Sequence, residues 1–165
     1  MKRIRKSGAA GIMLAAILLA AGCSHSGMGH VTVGESGGTT TKEQGSVTYT
    51  SKDGEETTYS SKEELPEGFP GDIPFPPDYV VTSSITTEEG YTVTFDSTRP
   101  FGEVVELYKE YAERAGYQES YLMDEADFYN YTGNKGDEKF VSTLTLDLED
   151  NKTVTGIIVY GKGRG

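Results

Sequence analysis

The side chains that could do chemistry in this chain are one cysteine, two histidines and two short groups of carboxylates. The carboxylate groups, which could act as acid and base or bind Ca²⁺ through oxygen, are Asp124, Glu125 and Asp127, and Asp147, Glu149 and Asp150. Neither group has the spacing of an EF-hand loop. Charge on surface turns accounts for both groups, so we assign no catalytic, cofactor-binding or metal-binding residue.

The two histidines do not complete a catalytic arrangement. Because His25 and His30 both lie near the start of the chain, a Ser-His-Asp site would have to take its histidine from that segment. A metal site made of Cys23 and these histidines in a glycine-rich segment is far from a preformed ligand set. The sequence therefore predicts no enzyme. A carboxylate-dependent hydrolase stays open as an alternative, and it requires two acidic side chains facing each other at roughly 5–10 Å.

Cys23 comes directly after a segment that has the pattern of an export signal. Residues 1–6 carry four positive charges and no negative charge, and residues 8–22 are uncharged and mostly apolar. A basic start, a short apolar run and a small-residue cleavage zone are typical of a secretory signal. The apolar run is shorter than the ~20 residues that span a bilayer as a helix, which disfavours a permanent transmembrane span.

The cysteine makes this signal typical of a bacterial lipoprotein. It directly follows Ala20-Ala21-Gly22, so cleavage between Gly22 and Cys23 would leave a thiol ready for acylation. Stable retention needs more than one fatty chain, such as palmitate, and this modification supplies two or three. We therefore predict lipidation of Cys23, removal of residues 1–22, and a protein tethered to the extracytoplasmic side of the cell membrane.

The net charge excludes one class of partner. Removal of residues 1–22 takes away four of the 15 basic residues and none of the 26 acidic ones, which leaves a formal charge of −15. Nucleic-acid binding requires clustered lysine and arginine, so we predict no nucleic-acid partner. With a single cysteine, the exported part has no internal disulfide.

Two segments separate the signal from the main domain. Residues 23–45 are rich in Gly, Ser and Thr and predict a flexible tether. Residues 46–64 contain two similar Thr- and Tyr-rich stretches around the turn dipeptide Asp53-Gly54, which predicts a β-hairpin. We expect this hairpin to pair with the downstream sheet; the alternative is that it stays mobile.

A proline-rich segment, which we call the strap (residues 65–78), leads into the main domain. It holds five of the six prolines, so it should be irregular and extended. Its larger apolar side chains are spaced to dock on the surface beneath them; they are Leu65, Phe69, Ile73 and Phe75. The predicted domain spans residues 65–160, and residues 161–165 form a tail.

The domain itself shows both helical and strand periodicity. From Phe101 to Ala115 the apolar residues recur with helical spacing, with Thr98 as the expected N-cap and Gly116 as the expected C-terminal stop. Alternating apolar residues before and after the helix predict the order β-β-α-β-β-β-β. We therefore predict an α+β fold, in which an antiparallel sheet carries one amphipathic helix on one face, preceded by the hairpin and the tether.

Several stretches of this domain resemble a known group of proteins. They are the lead from Leu65 to Pro74, the helical run from Glu103 to Lys109, and Ala115-Gly116-Tyr117. They resemble the small, largely uncharacterised membrane lipoproteins of Gram-positive-type bacteria that carry a C-terminal α+β domain. The resemblance covers about residues 65–160. It implies a membrane-tethered module and supplies no catalytic residue.

The expected function is binding. We predict a non-enzymatic interaction module of the cell envelope, which contacts an envelope protein or a cell-wall component through an exposed sheet face or through the tyrosine-rich segment 117–131. Tyrosine suits such a surface because it combines apolar area with a polar tip. The alternatives are a small-ligand or Ca²⁺-binding lipoprotein and, less favoured, the hydrolase.

Overall fold

A single antiparallel sheet organises the protein. The computed structural model describes residues 30–33 and 38–163; Gly22, Cys23 and the predicted signal lie outside these residues. The strands are β1 (His30–Val33), β2 (Thr39–Glu43), β3 (Ser46–Thr50), β4 (Glu56–Ser60), β5 (Val80–Thr87), β6 (Gly90–Ser97), β7 (Gln118–Asp124), β8 (Phe128–Lys135), β9 (Glu138–Leu146) and β10 (Val154–Lys162). They form one sheet in the order β1-β2-β3-β4-β5-β6-β10-β9-β8-β7.

The predicted fold class is wrong, because the sheet is larger than expected and dominates the protein. Its ten strands include the predicted hairpin, as β3 and β4, and parts of the predicted tether, as β1 and β2. Strand β4 pairs with β5 from Thr57 opposite Thr87 to Ser60 opposite Ser84. Threonine favours strands, and an existing edge offers hydrogen bonds to further strands, so these segments become ordered without a core of their own.

One helix, α1 (Phe101–Ala115), lies on one face of this sheet. It is 15 residues long, and no helix in the described part of the chain is long and apolar enough to cross a membrane. Gly116 ends it in a left-handed conformation with φ of 81°, as predicted. Thr98, however, is not the N-cap: the helix begins after Pro100, and Thr98 donates hydrogen bonds to Asp78 instead.

The hydrophobic core lies between α1, the strap and strands β6, β10, β9 and β8. The strap contributes Ile73, which is buried, and Phe69 and Phe75, which are partly buried, as their spacing predicted. The ring of Phe140 lies near the centre, with four tyrosine rings between 5.0 and 6.4 Å away. Edge-to-face and tilted aromatic pairs of this kind add to the free energy gained by burial.

Two β-bulges change which side chains face the core. The first interrupts β5 at Thr82, whose hydroxyl donates to the carbonyl of Thr94. Strict alternation along the strand would place Val81 and Ile85 on one face, but the extra residue turns Ser84 inward and Ile85 to the opposite face. The second bulge, at Ser120 in β7, has the same arrangement, with the Ser120 hydroxyl donating to the carbonyl of Thr132.

Candidate functional site

We call the strands β1–β4 the N-terminal extension. Its strands β2–β4, together with β5, carry rows of hydroxyl groups on the helix side of the sheet. Cross-strand partners share a face, so the pairing of Ser84 with the buried Val93 identifies this side. One row consists of Ser46, Ser60 and Ser84. The adjacent row consists of Thr41, Thr48, Thr58 and Thr86, in which the hydroxyls of Thr48 and Thr58 lie 2.8 Å apart. The row residues of β2–β4 are all partly exposed.

The first turn of the strap converts the hydroxyl rows into a groove of about 540 Å³, which we call the strap groove. Its floor consists of Ser46, Thr58, Ser60, Ser84 and Thr86. Its rim consists of Lys62, Glu64, Leu65, Pro66 and Glu67. Each hydroxyl can both donate and accept a hydrogen bond. On the rim, Lys62 can donate and Glu64 and Glu67 can accept, so the groove can hydrogen-bond a polar, uncharged molecule.

A second groove of about 460 Å³ lies on the opposite face of the same strands. Its floor is more apolar, with Val47, Tyr59 and Ile85 beside the charged Lys42. Tyr59 is 52% exposed. The N-terminal extension is therefore open on both faces, whereas strands β6 and β8–β10 are covered on one face by α1.

Side chains fill the interface between α1 and the sheet. Tyr108, Tyr129 and Ser142 are fully buried there, and their hydroxyls have no hydrogen-bond partner within the described residues. Burial raises the pKa of both the Tyr108 and the Tyr129 hydroxyl well above the ordinary value. Burial likewise raises the pKa of Tyr117 to about 12. These tyrosines stay neutral at physiological pH and act as packing groups.

Carboxylates in both predicted groups accept hydrogen bonds from neighbouring protein groups. Asp124 accepts a hydrogen bond of 2.9 Å from Lys109, and this bond raises the pKa of the lysine. Asp150 accepts hydrogen bonds from the Thr153 hydroxyl and from the amides of Thr153 and Lys152, which lower its pKa. Asp147 accepts one from the amide of Glu149. Within residues 30–33 and 38–163, no three His, Cys, Asp or Glu residues converge in a group that could hold a metal ion.

Three of the four tyrosines in the tyrosine-rich segment 117–131 are buried. Tyr117, Tyr129 and Tyr131 belong to the core, and only Tyr121 of its tyrosines is exposed. The hydroxyl rows were not recognised from the sequence as a site. The signal available in the sequence was that Thr and Ser at alternating positions in β3 recur ten residues later in β4.

A family model described as START domain-like matches residues 79–152. This region resembles a START-like domain. The match covers fewer than half of the 165 residues, and it includes β5 to β9 with α1 but leaves out the strap, β10 and the N-terminal extension. No curated protein and no protein of solved structure matches the chain. The START-like region therefore contains the filled aromatic interface, and most of the strap groove lies outside it.

Proposed function

We propose that the protein is a non-enzymatic binding module held at the extracytoplasmic side of the cell membrane by lipids on Cys23, and that its strap groove binds a neutral, polyhydroxylated ligand such as a cell-wall glycan. The observation that carries this proposal is the groove of about 540 Å³ with five hydroxyl side chains on its floor. Ligand sites commonly measure ~300–1,000 Å³. A glycan presents hydroxyl groups that match such a floor, because both sides donate and accept hydrogen bonds.

Charge favours a neutral glycan over an anionic polymer. The chain after residue 22 has a formal charge of −15, and two of the three charged rim residues, Glu64 and Glu67, are acidic. Phosphate-rich polymers would be repelled by this field. Resemblance to START-like domains, which are typically binding domains, supports a binding role in general and does not specify the ligand.

Neighbouring threonines on β4 give a matched test of the groove. Thr58 lies on the groove floor, and Thr57, one residue earlier, faces the opposite side of the sheet. With the full chain in neutral detergent, titration with a tetramer of N-acetylglucosamine should shift the amide resonances of β3–β5. Thr58→Val should weaken binding by about tenfold, the effect of one or two lost hydrogen bonds, and Thr57→Val should not. Absence of saturable shifts, or equal effects of both changes, contradicts the glycan proposal.

The anchor is tested separately. We expect Cys23→Ser to release the protein from the membrane fraction or to leave it as uncleaved precursor, because the serine hydroxyl cannot replace the acylated thiol. Intact-mass measurement of the wild-type protein should show the added acyl mass. A processed Cys23→Ser chain that stays in the membrane contradicts the anchor and leaves the glycan proposal unaffected.

A further inference from the structure

Strand β7 forms one end of the sheet. Among the described residues it pairs only with β8, so its outer backbone N–H and C=O groups lack a strand partner. All seven of its residues are exposed. Unpaired strand edges are templates for adding another strand, and proteins usually shield them. The bulge at Ser120 shields the beginning of β7 but leaves residues 121–124 in regular pairing.

The exposed side chains of β7 divide between the two faces of the sheet. Leu122 pairs with the buried Tyr131 and therefore lies on the helix side. Tyr121 and Met123 lie on the opposite side, and all three are at least 40% exposed. An added strand would find apolar area on both faces at its centre, which is the usual source of specificity in strand addition.

The helix side of this edge is acidic. Its carboxylates are Glu106 and Glu113 from α1, and Glu119 and Asp124 from β7. The carboxylates of Glu106 and Asp124 lie 3.5 and 2.9 Å from the Lys109 ammonium. Burial, and after it the charges of Glu119 and Glu113, raise the pKa of Tyr131. Lys109 is the base among them, and it is already paired with Glu106 and Asp124. A second base, Lys135, lies over the ring of Tyr117 before the start of β7. The carboxylates are in excess along the strand.

We propose that β7 binds an extended basic segment of a partner protein as an additional antiparallel or parallel strand. The segment's Lys or Arg side chains would lie on the helix side, near the carboxylates of Glu113 and Glu119, and its apolar side chains would lie against Tyr121 and Met123 on the other side. This site is at the far end of the sheet from the strap groove and does not depend on the proposed glycan binding.

The test uses a synthetic octapeptide of alternating lysine and valine, capped at both ends, and its counterpart of alternating glutamate and valine. With the full chain in neutral detergent at low salt, we expect saturable binding of the lysine peptide and none of the glutamate peptide, because the edge is acidic. Binding should weaken as salt is added. Amide hydrogen exchange at residues 121–124 should slow when the lysine peptide is bound, because strand addition protects backbone amides.

Matched charge reversals locate the site. Glu113→Lys combined with Glu119→Lys should weaken binding of the lysine peptide by about tenfold or more. Glu88→Lys combined with Glu89→Lys makes the same charge change on the exposed β5–β6 turn and should leave binding intact. Binding without slowed exchange in β7 overturns strand addition, and equal affinity for both peptides overturns the charge argument. A chain that is dimeric, and becomes monomeric with Leu122→Lys, would show that a second copy occupies the edge and would also overturn the proposal.

Discussion

The two halves of the sheet share the same antiparallel backbone pairing but differ in how far their side chains are buried. In the half beneath α1, Phe95, Phe140, Leu144 and Ile158 are fully buried. In the N-terminal extension, the large side chains Val47, Tyr49 and Tyr59 are 36–52% exposed. Antiparallel pairing continues from one half to the other through β5, with one bulge at Thr82. Backbone pairing can therefore extend a sheet well beyond its core, provided that the core supplies a stable edge.

The interactions that stabilise each half differ accordingly. Burial of apolar area dominates in the half beneath α1, since each large buried side chain contributes roughly 1.5–3 kcal/mol. The extension depends on strand pairing and on cross-strand side-chain pairs of about 0.2–1 kcal/mol each. It should open locally while the covered half stays folded. An extension of this kind can offer exposed polar groups to a ligand, which a packed core cannot.

The largest difference between the halves should appear on removing an aromatic ring. Phe140→Ala creates a cavity at the centre of the aromatic cluster and should lower the free energy of unfolding by roughly 3–5 kcal/mol. Tyr59→Ala removes a half-exposed ring from the extension and should lower it by less than about 1 kcal/mol. Urea unfolding followed by circular dichroism measures both. Similar losses for the two variants would contradict the division into a core half and a paired extension.

A smaller effect on stability is expected at Asp78, where the strap joins the core. Asp78 accepts hydrogen bonds from the Ser97 hydroxyl, the Thr98 hydroxyl and the Thr98 amide. They lower its pKa from 3.8 to about 2. Because the pKa is depressed in the folded state, this stabilisation is present above about pH 4 and is lost as the pH falls towards 2.

Replacement of this carboxylate should therefore change the acid limb of the stability profile. Asp78→Asn should lower the melting temperature by several degrees at pH 7 and flatten its decrease between pH 4 and pH 2. Asp53→Asn, on the exposed turn of the extension, is the control and should keep the wild-type profile. If thermal melts of Asp78→Asn and the wild type run parallel down to pH 2, the strap is not held by this carboxylate.

The smallest expected effect is an increase in the free energy of unfolding. Ser142 is fully buried with an unpartnered hydroxyl, and Thr143, on the other face of β9, accepts a hydrogen bond of 2.6 Å from Asn130. Ser142→Ala should raise the free energy of unfolding by up to about 1 kcal/mol, because it removes a desolvated polar group. Thr143→Val should lower it by about 1 kcal/mol. A clear loss of stability in Ser142→Ala would show that this hydroxyl has a buried partner such as water.

Local features of the chain were predictable where neighbouring residues determine them. The apolar stripe of α1 and its stop at Gly116 follow from helical periodicity and from the left-handed conformation that glycine tolerates. The shared face of Val93 and Phe95 follows from alternation along a strand. The bulge at Thr82 was not predictable in this way, because it shows only in the pairing of β5 with β6. The N-cap prediction failed for a related reason: Thr98 is engaged by Asp78, twenty residues away.

The candidate site likewise combines features that the sequence alone determined with features that depend on strand pairing. The sequence alone determined the helix, the alternation of hydroxyls in β3 and β4, and the acidic balance of the chain, because composition and spacing are properties of neighbouring residues. The lipidation of Cys23 remains a prediction from the same kind of pattern. Only the tertiary structure decided that β4 joins β5, that β10 lies between β6 and β9, and that the serines and threonines of separate strands form one groove floor. Strand pairing joins residues that are distant along the chain, and its register depends on the packed edge that receives each strand.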